Sequence, residues 1–277
     1  MAVDLHYENF PVASFLVPPA IRPHVVAIYR FARHADDVAD EGDADAASRL
    51  SRLAQLRADV EALFRHQPVD AATVRMLAPL RDAGIPGIDA KPFLDLLSAF
   101  SQDVRTQRYD NYSVLADYCR RSANPIGRLM LALSDVRDAA SIQSSDQICT
   151  SLQLINFWQD AALDASRGRI YVPQQDFAKF NVRERGFPQH PQHQALMQFQ
   201  CERARALMLA GVPLLAALRG RLRLEIAITM AGGLRILEKI KSNDFDVRIR
   251  PKLRWYDSFR LLFLALRLLS SSGRLPP

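Results

Sequence analysis

Apolar residues recur at three- and four-residue steps along nearly the whole chain, and this periodicity constrains the fold more than any other feature. Residues 44–66 place Leu50, Leu53, Leu56, Val60, Leu63 and Phe64 on one stripe. Similar stripes run through 92–104, 113–133, 146–163, 194–218 and 222–240. Breaks fall at Pro18-Pro19, Gly42, Pro68, Gly84–Gly87, Gly168, Pro173, Pro188 and Gly220. No alternating pattern of useful length interrupts them, except a short extended candidate at 169–172. The expectation is one all-α domain over residues 1–277, with roughly ten helices. With 49% hydrophobic residues, there is ample material for a core.

Several function classes are excluded early. Cys119, Cys149 and Cys201 are an odd set with no CxxC spacing, so disulfide and zinc frameworks lack support. Three reduced thiols suit the cytoplasm. The N-terminal residues carry no basic stretch ahead of an apolar run, so no secretory signal is read. No window of about 18 residues is free of charge, so no transmembrane helix is expected. The net charge of +6 is uneven: residues 219–277 carry 13 Lys/Arg against 5 Asp/Glu, a local +8. No nucleic-acid-binding module accompanies that charge. Over 255–269, Phe259, Leu262, Phe263 and Leu266 alternate with Arg260 and Arg267, and Arg254 stands just ahead. This basic amphipathic pattern, within a C-terminal segment of about 251–277, suits either a membrane headgroup region or packing on the domain.

Two acidic segments carry the chemistry. Asp36 and Asp40 are four apart near the end of the first helix, so both carboxylates share one face. Asn156, Asp160 and Asp164 repeat the arrangement as an i, i+4, i+8 line of oxygen donors. Oxygen-only donors suit Mg²⁺, whose shell a substrate phosphate would complete. Neither pair has Lys or Arg four residues after its acids, the usual surface compensation. Spacing alone leaves two readings open, a metal site or solvated helix ends.

Taken together, these segments resemble the squalene/phytoene synthase family. Residues 29–40 are similar to its first aspartate-rich motif, with Arg33 and Tyr29 one and two turns before Asp36. Tyr118-Cys-Arg-Arg-Ser-Ala-Asn-Pro-Ile-Gly127 is similar to the helix lining the prenyl channel. Gln153 through Asp164, with Gly168-Arg-Ile-Tyr-Val-Pro173, is similar to the second motif and its tail. Glu8-Asn-Phe-Pro-Val-Ala-Ser14, Ser122–Arg128 and Asn156-Phe-Trp-Gln-Asp160 look like the hydroxysqualene-forming branch of the hopanoid pathway. Condensing relatives carry Arg where this chain has Gln159, so one cation is missing from the second motif and a single diphosphate is implied.

The resemblance implies a terpenoid synthase fold and Mg²⁺ held by Asp36, Asp40, Asn156, Asp160 and Asp164. It implies catalytic roles for Tyr29, Arg33, Tyr118, Arg169 and Tyr171. Substrate contacts are implied for Asn9, Phe10, Ala123, Asn124, Gln153 and Phe157, as well as for Arg33 and Arg169. The implied substrate is presqualene diphosphate, captured by water to give hydroxysqualene. The functional partners would be a presqualene diphosphate synthase and a hydroxysqualene reductase. A condensing presqualene diphosphate or phytoene synthase is the alternative within the family. A non-catalytic assembly role would go with broken aspartate motifs, and both motifs are intact. Phe15 and Phe157 are more readily core than direct chemistry, and Cys119 is expected to be buried and inert.

Overall fold

The computed structural model describes residues 17–189 and 192–271. Among these, thirteen α-helical segments and one 3₁₀ turn are present and no strand forms. Nine of the helices have ten residues or more: α1 (Arg22–Asp40), α2 (Ala46–Phe64), α5 (Lys91–Asp103), α6 (Tyr112–Ser122), α7 (Asn124–Leu133), α8 (Ala139–Ser166), α10 (His193–Ala210), α12 (Gly220–Ser242) and α13 (Ser258–Ser270). The short helices are α3 (Ala72–Arg75), α4 (Ala78–Asp82), α9 (Gln174–Lys179) and α11 (Leu214–Ala217).

Local chemistry sets the boundaries. Asp45, Asn111 and Asp138 cap α2, α6 and α8, each side chain accepting from the backbone N–H three residues on. Pro23, Pro92 and Pro125 open α1, α5 and α7, where a missing N–H costs nothing. The stripe at 113–133 therefore splits into two helices, because Pro125 cannot continue α6. Helix α8 begins seven residues before its apolar stripe. Its first turns bury Ser141, Ser144 and Ser145, small residues that a hydrophobic pattern does not register.

Helix α8 is the axis of the fold and packs on α6, α7, α10, α11 and α12. Its neighbours approach closely where they carry glycine. A Cβ at Gly127 would sit 2.5 Å from Cys149 Sγ, and one at Gly211 only 2.3 Å from Ile148 Cγ1. One apolar cluster surrounds α8. A second joins α1, α2 and α5, where the Phe31 ring meets Phe93 edge-on at 5.4 Å. Helices α5 and α7 contribute to both.

Helix α13 lies on α12 through Leu264, Ala265 and Leu268. The buried Asp257 carboxylate anchors its start, accepting from Arg235 Nε at 2.9 Å and the Arg254 backbone N–H at 2.8 Å, with Lys239 Nζ at 2.6 Å. Both readings of this segment thus have a face of the helix each, since its other side is exposed.

Replacing Gly211 with Ala tests the close packing on α8, since the new methyl would also lie 2.8 Å from the Ser144 carbonyl oxygen. Overpacking against backbone is expected to cost about 1–3 kcal/mol, read as a lower urea midpoint with an unchanged m-value.

Candidate active site

The two acidic segments occupy the last turns of α1 and α8, and the chain after α8 ties them together. Gly168, at φ +82°, turns the chain into an extended run at 169–172. That run pairs with the segment after α5 through isolated bonds, Ile170 N–H to the Gln107 carbonyl at 3.0 Å and Gln174 N–H to the Tyr109 carbonyl at 2.8 Å. The extended candidate read from the sequence is therefore extended without forming a ladder. It delivers Arg169 to Asp40, where the guanidinium donates to both carboxylate oxygens at 2.8 and 2.5 Å. This fork pair links the first aspartate segment to the tail of the second.

Helical geometry does set Asp36 with Asp40, and Asn156 with Asp160 and Asp164. Among the described residues, no three His, Cys, Asp or Glu side chains close into a metal-ligating group. Asp40 and Asp160 are each met by a guanidinium that comes from tertiary structure. Arg250 reaches Asp160 with a forked contact from the segment between α12 and α13. Arg33 stays with its own helix, 2.9 Å from Asp37 and 3.7 Å from Asp36.

Beneath the acids lies an aromatic floor. Phe157 and Tyr171 stack at 3.7 Å with 5° between their planes, and Tyr118 and Tyr109 lean on the Tyr171 ring at 6.3 and 5.7 Å. Phe157, Ala161, Asp164, Arg169 and Tyr171 border one narrow crevice. Tyr118 is buried, and its hydroxyl donates to Asp103 Oδ2 at 2.6 Å. Burial lifts the Tyr118 and Tyr171 hydroxyls well above the usual phenol range.

Asp103 belongs to the site although no motif marks it. It is the last residue of α5, where a negative charge opposes the helix dipole. Burial pushes its carboxyl up to about 7, with Tyr118 and Arg169 opposing and Asp40 and Asp36 reinforcing. Asp164 is likewise raised to about 7, by burial first and then by Asp160. Neighbouring carboxylates thus resist ionising together, the condition that a divalent cation relieves. An all-oxygen donor set on two helices fits Mg²⁺ chemically.

The other expected residues fall as follows. Tyr29 is half-buried on α1, one turn before Arg33. Gln153 is half-buried and Asn156 exposed on α8. Ala123 sits at the α6–α7 junction, and the buried Asn124 accepts from Thr150 Oγ1 at 3.0 Å, fastening α7 to α8. Asn9, Phe10 and Phe15 lie outside the described residues. Cys119 is fully buried, and its thiol is pushed up to about 12. Gln159 changes the reading of charge. It is buried and donates to the Pro251 carbonyl at 2.6 Å, while the adjacent Arg250 brings a guanidinium to Asp160. The second motif is therefore not short of a cation.

Comparison with known proteins assigns the family. A model of the squalene/phytoene synthase family matches residues 3–257. Hydroxysqualene synthase of Rhodopseudomonas palustris is 34% identical over 242 residues, covering 86% of this chain and 80% of that one. Hydroxysqualene synthase of Zymomonas mobilis is 41% identical over 170 residues, covering 60% of this chain and 54% of that one. The crystal structure of squalene synthase HpnC from Alicyclobacillus acidocaldarius superposes with a TM-score of 0.79 at 32% identity, covering 87% of this chain and 90% of that one. With the family matched across almost its whole length, and the paired acids set over an aromatic floor, the chain belongs to the squalene/phytoene synthase family and is an enzyme of squalene-type isoprenoid biosynthesis.

Proposed function

We propose that the chain converts presqualene diphosphate and water to hydroxysqualene and diphosphate. The observation that carries this reading is the likeness to the hydroxysqualene synthase of Rhodopseudomonas palustris across four-fifths of its length. Asp36, Asp40, Asn156, Asp160 and Asp164 would hold Mg²⁺, which when bound neutralises charge on a leaving diphosphate. Arg169 and Arg250 present N–H forks suited to phosphate oxygens.

The carbon–oxygen bond to diphosphate breaks with its electron pair leaving on the diphosphate. The cyclopropylcarbinyl cation rearranges, a water oxygen supplies the pair for the new carbon–oxygen bond, and the water's second proton departs. Nothing is oxidised or reduced, so no nicotinamide is consumed. The stacked faces of Phe157 and Tyr171 can stabilise positive charge while their bulk excludes water. Tyr118 keeps its proton, directed at Asp103 Oδ2, so its phenol oxygen is not a base to the cation.

Asp36→Asn or Asp160→Asn should each lower turnover about 100-fold or more, and excess EDTA should abolish it. Full activity in EDTA would refute the metal requirement.

In ¹⁸O-labelled water the product alcohol should carry one labelled oxygen, and NADPH should not divert it to squalene. Conversion of farnesyl diphosphate alone, with presqualene diphosphate untouched, would replace this reading with the condensing one.

Asp103 gives a pH test in metal-free protein. Its carboxyl is raised from 3.8 to about 7, so the folded state binds more protons than the unfolded state between those values. Its contribution to stability therefore falls as pH rises through that window. Asp103→Asn should raise the melting temperature by several degrees at pH 8 and by little at pH 4.

A further inference from the structure

Among the described residues, every large hydrophobic side chain more than half exposed falls between residues 249 and 266. Ile249, Trp255, Phe259, Leu262, Phe263 and Leu266 are 53–85% exposed, and on α13 they follow a helical stripe. Contiguous apolar exposure of this kind marks an interaction surface. It is held rigidly, because the opposite face of α13 is buried on α12 and Asp257 fixes its first turn.

The charges around the stripe say what covers it. Between residues 248 and 267 there are six Arg or Lys; Arg248, Arg250 and Arg260 are paired with Asp246, Asp160 and Glu238, and the one acid within the stretch, Asp257, is buried. Lys252, Arg254 and Arg267 are exposed beside the apolar residues. A second copy of the chain docking through this patch would bring like charges together across a two-fold contact. An anionic lipid surface complements them. Trp255 and Tyr256 are side chains that settle at the boundary between headgroup and acyl chain. No described helix is long and apolar enough to cross a membrane, so α13 would lie in the interface.

The patch also adjoins the site. Ile249 is the immediate neighbour of Arg250, which grips Asp160, and Trp255 follows five residues later, within about 18 Å of chain. We infer that the exposed face of Ile249, Trp255 and α13 is a membrane-docking surface for an anionic bilayer, joined to the site through the segment that carries Arg250 to Asp160. Docking of this kind suits a reaction whose hydrocarbon participants are insoluble in water, a point that rests on the function proposed above; the surface itself does not.

The test uses the full chain without substrate. The protein has two tryptophans, and Trp158 is 1% exposed whereas Trp255 is 84% exposed, so a change in emission reports Trp255. Adding phosphatidylcholine–phosphatidylglycerol vesicles at low salt should shift emission to the blue, and brominated lipid should quench it. Phosphatidylcholine vesicles and high salt should weaken binding about tenfold or more. Phe259→Ser with Phe263→Ser should lose binding with an unchanged melting temperature, and Lys252→Gln with Arg254→Gln should lose the salt dependence. Absence of binding to the anionic vesicles, or undiminished binding by the Phe259/Phe263 variant, overturns the inference. A concentration-dependent dimer abolished by that variant, without vesicle binding, overturns it in favour of contact between copies. With presqualene diphosphate carried in vesicles, the same variant should turn over at least tenfold more slowly than the unaltered chain, and equally fast in detergent.

Discussion

Mutual repulsion among carboxylates governs the acidic end of this molecule. Asp36 and Asp40 oppose ionisation of Asp103, Asp160 and Asp40 oppose that of Asp164, and burial of Asp103 and Asp164 sharpens the conflict. Two guanidiniums make the arrangement tolerable. Arg169 forks onto Asp40 and also favours ionisation of Asp103 and Asp164, while Arg250 forks onto Asp160. Both arginines come from segments outside the helices they neutralise. The helix ends could not be brought this close without the turn at Gly168 and the crossing at Arg250. Keeping these acids together opposes stability, since burial and mutual repulsion both disfavour their ionised forms.

Much of the architecture was legible because helical periodicity and caps are local properties. The stripes at 44–66, 92–104 and 222–240 correspond to α2, α5 and α12 with ends shifted by a few residues. The pattern failed where burial does not depend on large apolar side chains. Ser141, Ser144 and Ser145 are all buried, and glycines of neighbouring segments approach α8 closely at Ser144 and Ser145. The continuous stripe at 113–133 concealed a break, since both helices flanking Pro125 bury residues at compatible spacing.

The site was legible in part, for the same reason. Paired acids four residues apart are a local signal, and helix geometry delivers them on one face as expected. Their partners are not local. Arg250 stands 90 residues from Asp160, and Asp103 belongs to no motif. A carboxylate at the C-terminal end of an apolar helix was the available hint, because it contradicts the helix dipole. Gln159 shows the opposite error, in which a substitution within a motif suggested lost positive charge. The side chain is spent on the Pro251 carbonyl, and the cation arrives one residue earlier along the same crossing segment.

That crossing has a consequence for how the chain can vary. Consecutive residues of α8, Gln159 and Asp160, hold consecutive residues of the linker, Pro251 and Arg250. The linker starts at the end of α12 and finishes at Asp257, which is locked to Arg235 and Lys239 of that same helix. Both ends and the middle are thus pinned to rigid elements. The linker behaves as a ruler: adding or removing one residue between Asn243 and Arg250 moves the guanidinium out of phase with Asp160. Its length has to be preserved together with the side chains that pin it, Val247 in the core, Arg250 on Asp160 and Asp257 on α12.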